Sequence, residues 1–145
     1  MRIFFAGPLT DLKNPHATKT FYKKMARVAE RLGYTYFWAF LNGTDPIKNP
    51  DVSPSDVYHR DIEELNKSDM IIAYMGEPST GTGMEIEHAH QTNKPIVILY
   101  EQEKHISRML RGCPRIVKEI VFSSEEDALK QLKTFFTSLD SQASQ

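Results

Sequence analysis

A glycine-rich segment, Ser79–Glu87, contains the side chains of this sequence that are best suited to chemistry. It comes shortly after the apolar run Met70–Met75. Gly81 and Gly83 would let a strand end sharply and leave backbone N–H groups open to a ligand. Glu85 is then predicted in the first turn of a helix, where the helix dipole favours an ionised carboxylate suited to a nucleophile or general base. The alternative is that Glu85 only stabilises its own helix.

Bond breaking at a sugar carbon requires a second carboxylate, and Asp61 is the leading candidate. It lies about two turns into a helix predicted to begin at Ser53, at the same edge of the fold as the glycine-rich segment. Tyr58 precedes Asp61 on the same helical face, so the two side chains could line one wall of a site. In the alternative interpretation, Asp61 and the glutamates that follow it form a solvated helix face.

Hydroxyl groups around the glycines, those of Ser79, Thr80 and Thr82, could bind a phosphate together with backbone N–H groups. The segment has no lysine at the Walker position and no complete dinucleotide-binding glycine pattern, which disfavours an ATPase or a dehydrogenase. The histidines lack the partners of a metal site, so neither a metal nor another cofactor is expected. Trp38 could stack on a base, although core packing is the favoured role.

Length and composition favour one soluble domain, predicted over residues 1–139 with a polar tail over 140–145. The chain has 145 residues and a formal net charge of -1, which gives no general attraction to a nucleic acid polymer or a membrane. No apolar run approaches the length of a membrane span. Cys113 is the only cysteine, so no intramolecular disulfide can form and a cytoplasmic location is expected.

Short apolar runs alternate with helical patterns along the chain, which predicts an α/β three-layer sandwich with a five-stranded parallel sheet, flavodoxin-like or Rossmann-like. The predicted strands are Ile3–Ala6, Tyr34–Phe40, Met70–Met75, Pro95–Tyr100 and Glu119–Phe122. The helices are predicted from Pro15 to Leu32, from Pro54 to about Lys67, from Gly83 to about Asn93, over Ile106–Arg111 and after Ser124 to Leu139. In such sheets ligands bind at the carboxyl ends of the strands, so Gly7-Pro8 and the glycine-rich segment should share one edge.

Several segments together resemble the nucleoside 2-deoxyribosyltransferase family. The similar segments are Tyr58–Ile62, Ser68–Ala73, Gly81–Ile86, Asn93–Ile96 and the opening Ile3–Pro8. The resemblance implies that Glu85 attacks the anomeric carbon and that Asp61 assists at the base. It implies a small nucleoside or nucleotide substrate, with the other substrate-binding positions at Gly7, Pro8, Tyr58, Ser79, Gly81, Gly83 and Ser107.

Two details resemble the 2'-deoxynucleoside 5'-phosphate N-hydrolase branch of that family. Ser79, in a Pro-Ser-x-Gly-x-Gly context, stands where the transferases usually carry an aspartate, and it would bind the phosphate. Ile106–Gly112 resembles a segment whose serine reaches the phosphate of a neighbouring subunit, which implies a homodimer with Ser107 in its partner's site. Two departures are Glu87, where the family mostly has glycine, and Leu9–Lys13, which replaces an arginine- and glycine-rich loop; Lys13 or the Gly7 backbone could substitute in phosphate binding.

The resulting expectation is a retaining N-glycosidase that cleaves a (2'-deoxy)nucleoside 5'-monophosphate through a covalent glycosyl-Glu85 intermediate. Free base and a sugar phosphate would be released. Two alternatives stay open at the level of the sequence. One is a deoxyribosyltransferase that passes the sugar to a second base, and the other is a non-catalytic nucleotide-binding module.

Overall fold

Five parallel strands form one sheet in the computed structural model, which describes residues 1–143. The strands are β1 (Arg2–Ala6), β2 (Thr35–Trp38), β3 (Met70–Tyr74), β4 (Ile96–Glu101) and β5 (Ile116–Phe122). The helices are α1 (Pro15–Arg31), α2 (Pro54–Asn66), α3 (Thr80–Gln91), α4 (Arg108–Arg111) and α5 (Glu125–Ala143). The strand order β2-β1-β3-β4-β5 is the flavodoxin-like order, so the predicted fold class is confirmed.

Each face of the sheet is buried, which explains why the strands are apolar throughout. Neighbouring side chains such as Phe4 and Phe5 point to opposite faces and join different core clusters. One cluster includes residues of α1 and α5, and the other includes residues of α2 and α3. Among residues 1–143, no helix is both long enough and apolar enough to cross a membrane.

Helix starts follow the capping residues in the sequence. The side chains of Asn14 and Ser53 accept backbone N–H groups at the starts of α1 and α2, and proline follows each of them, as predicted. The start of α3 is different from the prediction. Ser79 caps this helix, which therefore begins at Thr80 rather than Gly83, because the cap outweighs the poor helix propensity of threonine and glycine.

Strand ends differ from the predictions at both edges of the sheet. β2 stops at Trp38, and the chain turns into a 3-10 helix over Ala39–Leu41 instead of continuing to Phe40. β5 begins at Ile116, before the predicted start at Glu119, because only one side of this edge strand is well buried and its sequence is more polar. Helix α5 runs on through Asp140 to Ala143, and residues 144–145 of the predicted tail lie outside the described residues.

A buried ion pair fixes the loop that follows β2, predicted as a surface loop over residues 42–54. Asp45 is fully buried, and the Lys19 Nζ lies 2.7 Å from its Oδ2. The backbone N–H groups of Ile47 and Lys48 donate to Oδ1. Burial alone would raise the pKa of Asp45, but these donors and the Lys19 charge outweigh it and lower the pKa. The anion therefore holds this loop against the carboxyl edge of the sheet.

Candidate active site

A cavity of about 170 Å³ lies at the carboxyl ends of β1 and β2, between α2 and α3. It is the crevice expected where the strand order reverses around β1. Its walls come from the end of β1, the end of β2, the loop after β2, and the two helices. The lining residues are Phe5, Ala6, Gly7, Leu9, Thr10, Trp38, Ala39, Thr44, Pro46, Val57, Asp61, Ser79, Gly81, Thr82 and Glu85.

The two carboxyl groups singled out from the sequence, Glu85 and Asp61, both line this cavity. Glu85 is the sixth residue of α3 and lies in its second turn, beyond the first turn where the dipole acts most strongly. Burial, and then the neighbouring charge of Asp61, raise the pKa of Glu85 well above its usual value. Burial and the Asp61 charge therefore disfavour the Glu85 anion, whereas the expected helix dipole would have favoured it.

Asp61 is also a perturbed acid. Burial raises its pKa from 3.8 to about 6, against the opposing charge of Arg60. Its Oδ1 is buried and has no hydrogen-bond partner among residues 1–143. Two partly buried carboxyl groups that repel each other in one cavity favour the state in which they hold one proton between them. Such a pair combines an anion with an acid.

Replacing Asp61 by asparagine should make the protein more stable at neutral pH. Asp61 keeps its proton in the folded state up to about pH 6 but loses it near pH 3.8 when unfolded. The ionisation of Asp61 therefore lowers the free energy of unfolding as pH rises from 3.8 to about 6. Above that range the full loss is roughly 1–3 kcal/mol. Urea unfolding of Asp61→Asn should show this gain at pH 7 and no gain at pH 3.5. Asp51→Asn, the same change at an exposed residue, is the matched control. If Asp61→Asn gained the same stability at pH 3.5 as at pH 7, the explanation would be contradicted.

Ser79 joins the small cavity to a larger pocket of about 820 Å³. Its Oγ accepts from the Thr82 backbone N–H at 3.2 Å and from the Thr82 Oγ1 at 3.0 Å. With both acceptor positions used, the Ser79 hydroxyl has its own proton left to donate. A phosphate is an acceptor, so this geometry suits the predicted role.

The glycines that follow Ser79 lie inside the first turns of α3 rather than in a loop. The N–H of Gly83 donates to the Ser79 carbonyl at 3.1 Å and is not open to a ligand, contrary to the expectation for both glycines. The amides of Thr80 and Gly81 are those that a helix start leaves without an intrahelical acceptor. A Cβ at Gly81 or Gly83 would meet no atom within 4 Å, so both border open space that a ligand can approach closely.

Gly7 and Pro8 follow β1 as predicted, but only Gly7 lines the cavity. A Cβ on Gly7 would lie 2.6 Å from the Tyr22 hydroxyl oxygen, so glycine is required there by packing. Pro8 is buried, and its carbonyl accepts from that hydroxyl at 2.8 Å.

Tyr58 does not line the cavity as the sequence predicted. It is 50% exposed and packs edge-on against His59, outside both pockets. The residue of α2 that lines the cavity together with Asp61 is Val57.

Ser107 caps the short helix α4 and accepts from the Leu110 N–H. It is exposed and borders the larger pocket, which it shares with Ser79 and Lys13. Its predicted action in a neighbouring subunit stays a prediction. Within residues 1–143, no three histidine, cysteine, aspartate or glutamate side chains come together as a metal ion would require.

Thr44 and Pro46 are cavity residues that the sequence did not single out. They flank Asp45, so the buried ion pair with Lys19 determines where they lie. No local pattern pairs two residues this far apart in the chain. The sequence indicated only that the loop follows the carboxyl end of a strand, where ligands bind in such sheets.

A pair of carboxyl groups with raised pKa values in the crevice of a flavodoxin-like sheet is typical of an active site that binds a small molecule. Residues 3–133 match the family model for nucleoside 2-deoxyribosyltransferase, and the chain belongs to that family.

Relatives of known name lie in the N-hydrolase branch. A 5-hydroxymethyl-dUMP N-hydrolase of Esox lucius is 36% identical over 121 residues, which cover 78% of this chain and 79% of that protein. The enzyme of the same name from Danio rerio is 27% identical over 143 residues, which cover 96% of this chain and 98% of that enzyme. The solved structure of a CMP N-glycosidase of Clostridium botulinum has the same fold, with a TM-score of 0.72 and 22% sequence identity. The match covers 93% of this chain and 99% of that enzyme's chain. The predictions of the branch and of an enzyme, N-hydrolase or deoxyribosyltransferase, are confirmed.

Proposed function

We propose that the protein hydrolyses the N-glycosidic bond of a (2'-deoxy)nucleoside 5'-monophosphate, with Glu85 as nucleophile and Asp61 as acid and then base. The observation that carries the proposal is the pair of carboxyl groups that line one cavity, where burial raises the pKa of each and the Asp61 Oδ1 has no partner among residues 1–143. The names of the relatives support a nucleotide as substrate.

The first step forms a bond from a Glu85 carboxylate oxygen to C1' and breaks the bond from C1' to the base nitrogen. The electron pair leaves with the base, and Asp61 gives it a proton. Water then attacks C1', ionised Asp61 takes the water's proton, and the ester bond to Glu85 breaks. Two displacements at C1' retain its configuration, and both carboxyl groups return to their starting states.

The phosphate would lie where the two pockets meet. The Ser79 hydroxyl has a proton to donate there, and the Gly81 amide is one of those that a helix start leaves without an intrahelical acceptor. Lys13 and Ser107 also border the larger pocket. This arrangement would replace the arginine- and glycine-rich loop that the chain lacks.

Ser79→Asp should weaken the use of nucleotides while leaving the fold intact. Aspartate caps helices as well as serine does, but its charge repels a phosphate and it cannot donate. We expect KM for the nucleotide to rise about 10- to 100-fold, which corresponds to the roughly 1–3 kcal/mol of a lost charge-assisted hydrogen bond. Ser53→Asp, at the cap of α2, is the matched control. An unchanged KM in Ser79→Asp would remove the phosphate from this position.

A chromatographic screen of deoxynucleoside and ribonucleoside monophosphates, and of the free nucleosides, tests the proposed function. Free base and sugar phosphate are expected from at least one monophosphate. Adding a second free base separates hydrolysis from transfer, because a transferase would form a new nucleoside from the same covalent intermediate. Saturable binding without any base release would instead indicate a non-catalytic module.

A further inference from the structure

Trp38 combines a buried, unpartnered donor with a place in the cavity wall. Its side chain is only 1% exposed, and its Nε1 has no hydrogen-bond partner. Among residues 1–143, five buried side-chain polar atoms lack a partner, and only those of Trp38 and Asp61 belong to residues of this cavity. A buried N–H without an acceptor is costly, so an acceptor is expected from whatever fills the cavity.

The faces of the indole ring are not available to a ligand. Its plane is nearly parallel to those of Phe5 and Tyr22, with ring centroids 5.5 Å and 4.3 Å away, and Phe40 meets it edge-on. Stacking on a base, the role considered from the sequence, is therefore excluded by this packing. Only the edge of the ring, which carries Nε1, can meet a ligand. The aromatic neighbours also fix the direction of that N–H.

The sheet topology separates the two ends of a bound nucleotide. Ser79 follows β3, whereas Trp38 ends β2, and β1 lies between these strands. Two strand spacings correspond to about 10 Å along the carboxyl edge. If the phosphate lies at Ser79 and the sugar carbon at Glu85, the base extends toward the end of β2. Trp38 is thus at the base end of the cavity, whose wall also includes Asp61.

We propose that the Trp38 Nε1 donates a hydrogen bond to a carbonyl oxygen of a pyrimidine base, the one beside the glycosidic nitrogen. This inference rests on the proposed function and names the class of leaving group. As the bond to C1' breaks, negative charge spreads from the nitrogen onto that oxygen. An N–H that is held in place by packing stabilises this charge more in the transition state than in the ground state.

Trp38→Phe tests the role in base release, because phenylalanine keeps the stacking but has no N–H. With 5-hydroxymethyl-dUMP, kcat/KM should fall about 10- to 100-fold. With a nitrophenyl 2-deoxyriboside 5-phosphate, whose leaving group has no such carbonyl, the variant and the wild type should agree within about twofold. Phe40→Leu disturbs the same aromatic cluster without removing the N–H and serves as the matched control. An equal loss with both substrates would assign the bond to the sugar, and no loss with either would overturn the proposal.

Fluorescence gives a second readout that does not depend on activity, because Trp38 is the only tryptophan of the chain. In Glu85→Gln, 5-hydroxymethyl-dUMP should change the tryptophan emission in a saturable way. Deoxyribose 5-phosphate alone should not change it. The same change with the sugar phosphate, or no change while calorimetry detects nucleotide binding, would contradict the contact with the base. If the wild type releases no base from any nucleotide, the proposed function fails, and this titration still decides the role of Trp38.

Discussion

Glu85→Gln should abolish base release, with a loss of at least about 10³-fold, because the amide cannot form the ester to C1'. The variant should remain folded. Burial and the neighbouring Asp61 make an ionised Glu85 unfavourable in the free protein, so a neutral side chain of the same shape should stabilise it at pH 7. The measurement is single-turnover release of base from the nucleotide that the wild type cleaves fastest, together with thermal unfolding.

Glu63→Gln is the matched control for this experiment. Glu63 is an exposed residue of α2 whose carboxylate pairs with Lys67. The same chemical change there should leave the rate within about twofold of wild type, as is usual for surface substitutions. Base release by Glu85→Gln at a similar rate would remove Glu85 from the nucleophile role.

Asp61→Asn should lower kcat/KM by about 10²- to 10⁴-fold, the usual contribution of a positioned acid, because asparagine cannot transfer a proton to the base. In the wild type, kcat/KM should fall at low pH as Glu85 and Asp61 together take up a second proton. The value of kcat/KM should also fall at high pH, as the two carboxyl groups lose the one proton that they share. Burial raises the pKa of Asp61 to about 6, which is where we expect the acid limb.

The remaining activity of Asp61→Asn should have a changed pH profile. In Asp61→Asn only Glu85 titrates, and no second carboxylate raises its pKa or supplies a proton that can be lost at high pH. The fall of kcat/KM at high pH should therefore be missing from the variant, whereas a fall at low pH should remain. A full pH profile of kcat/KM for both proteins measures this difference. A fall at high pH that persists unchanged in Asp61→Asn would show that it does not come from the pair of carboxyl groups.

The grouping of the candidate site residues in one cavity was predictable because it depends on sheet topology. Parallel strands bring Gly7 and Ser79 to the same edge, and helix geometry carries Asp61 and Glu85 to the same cavity. The shifted pKa of Glu85 was not predictable, because it depends on burial and on the neighbouring charge of Asp61. The start of α3 was not predictable either, because the Ser79 cap moves it ahead of a Thr-Gly-Thr-Gly run that propensity alone disfavours.

Long-range contacts account for the remaining differences. The direction of the Trp38 edge depends on packing against Phe5 and Tyr22, from two other elements. The places of Thr44 and Pro46 depend on an ion pair between α1 and a loop. Helical periodicity placed Tyr58 in the cavity wall, but the face of α2 that meets the cavity passes through Val57 instead. None of these contacts leaves a local signal.

The most direct test of the mechanism is mass spectrometry of protein quenched with acid during turnover. Wild-type protein mixed with the nucleotide that it cleaves fastest should carry a sugar phosphate adduct on the peptide that contains Glu85. Glu85→Gln should carry none, and the sugar phosphate first formed should have the configuration of the substrate. Rapid base release with no adduct and with inverted configuration at C1' would contradict the covalent role of Glu85.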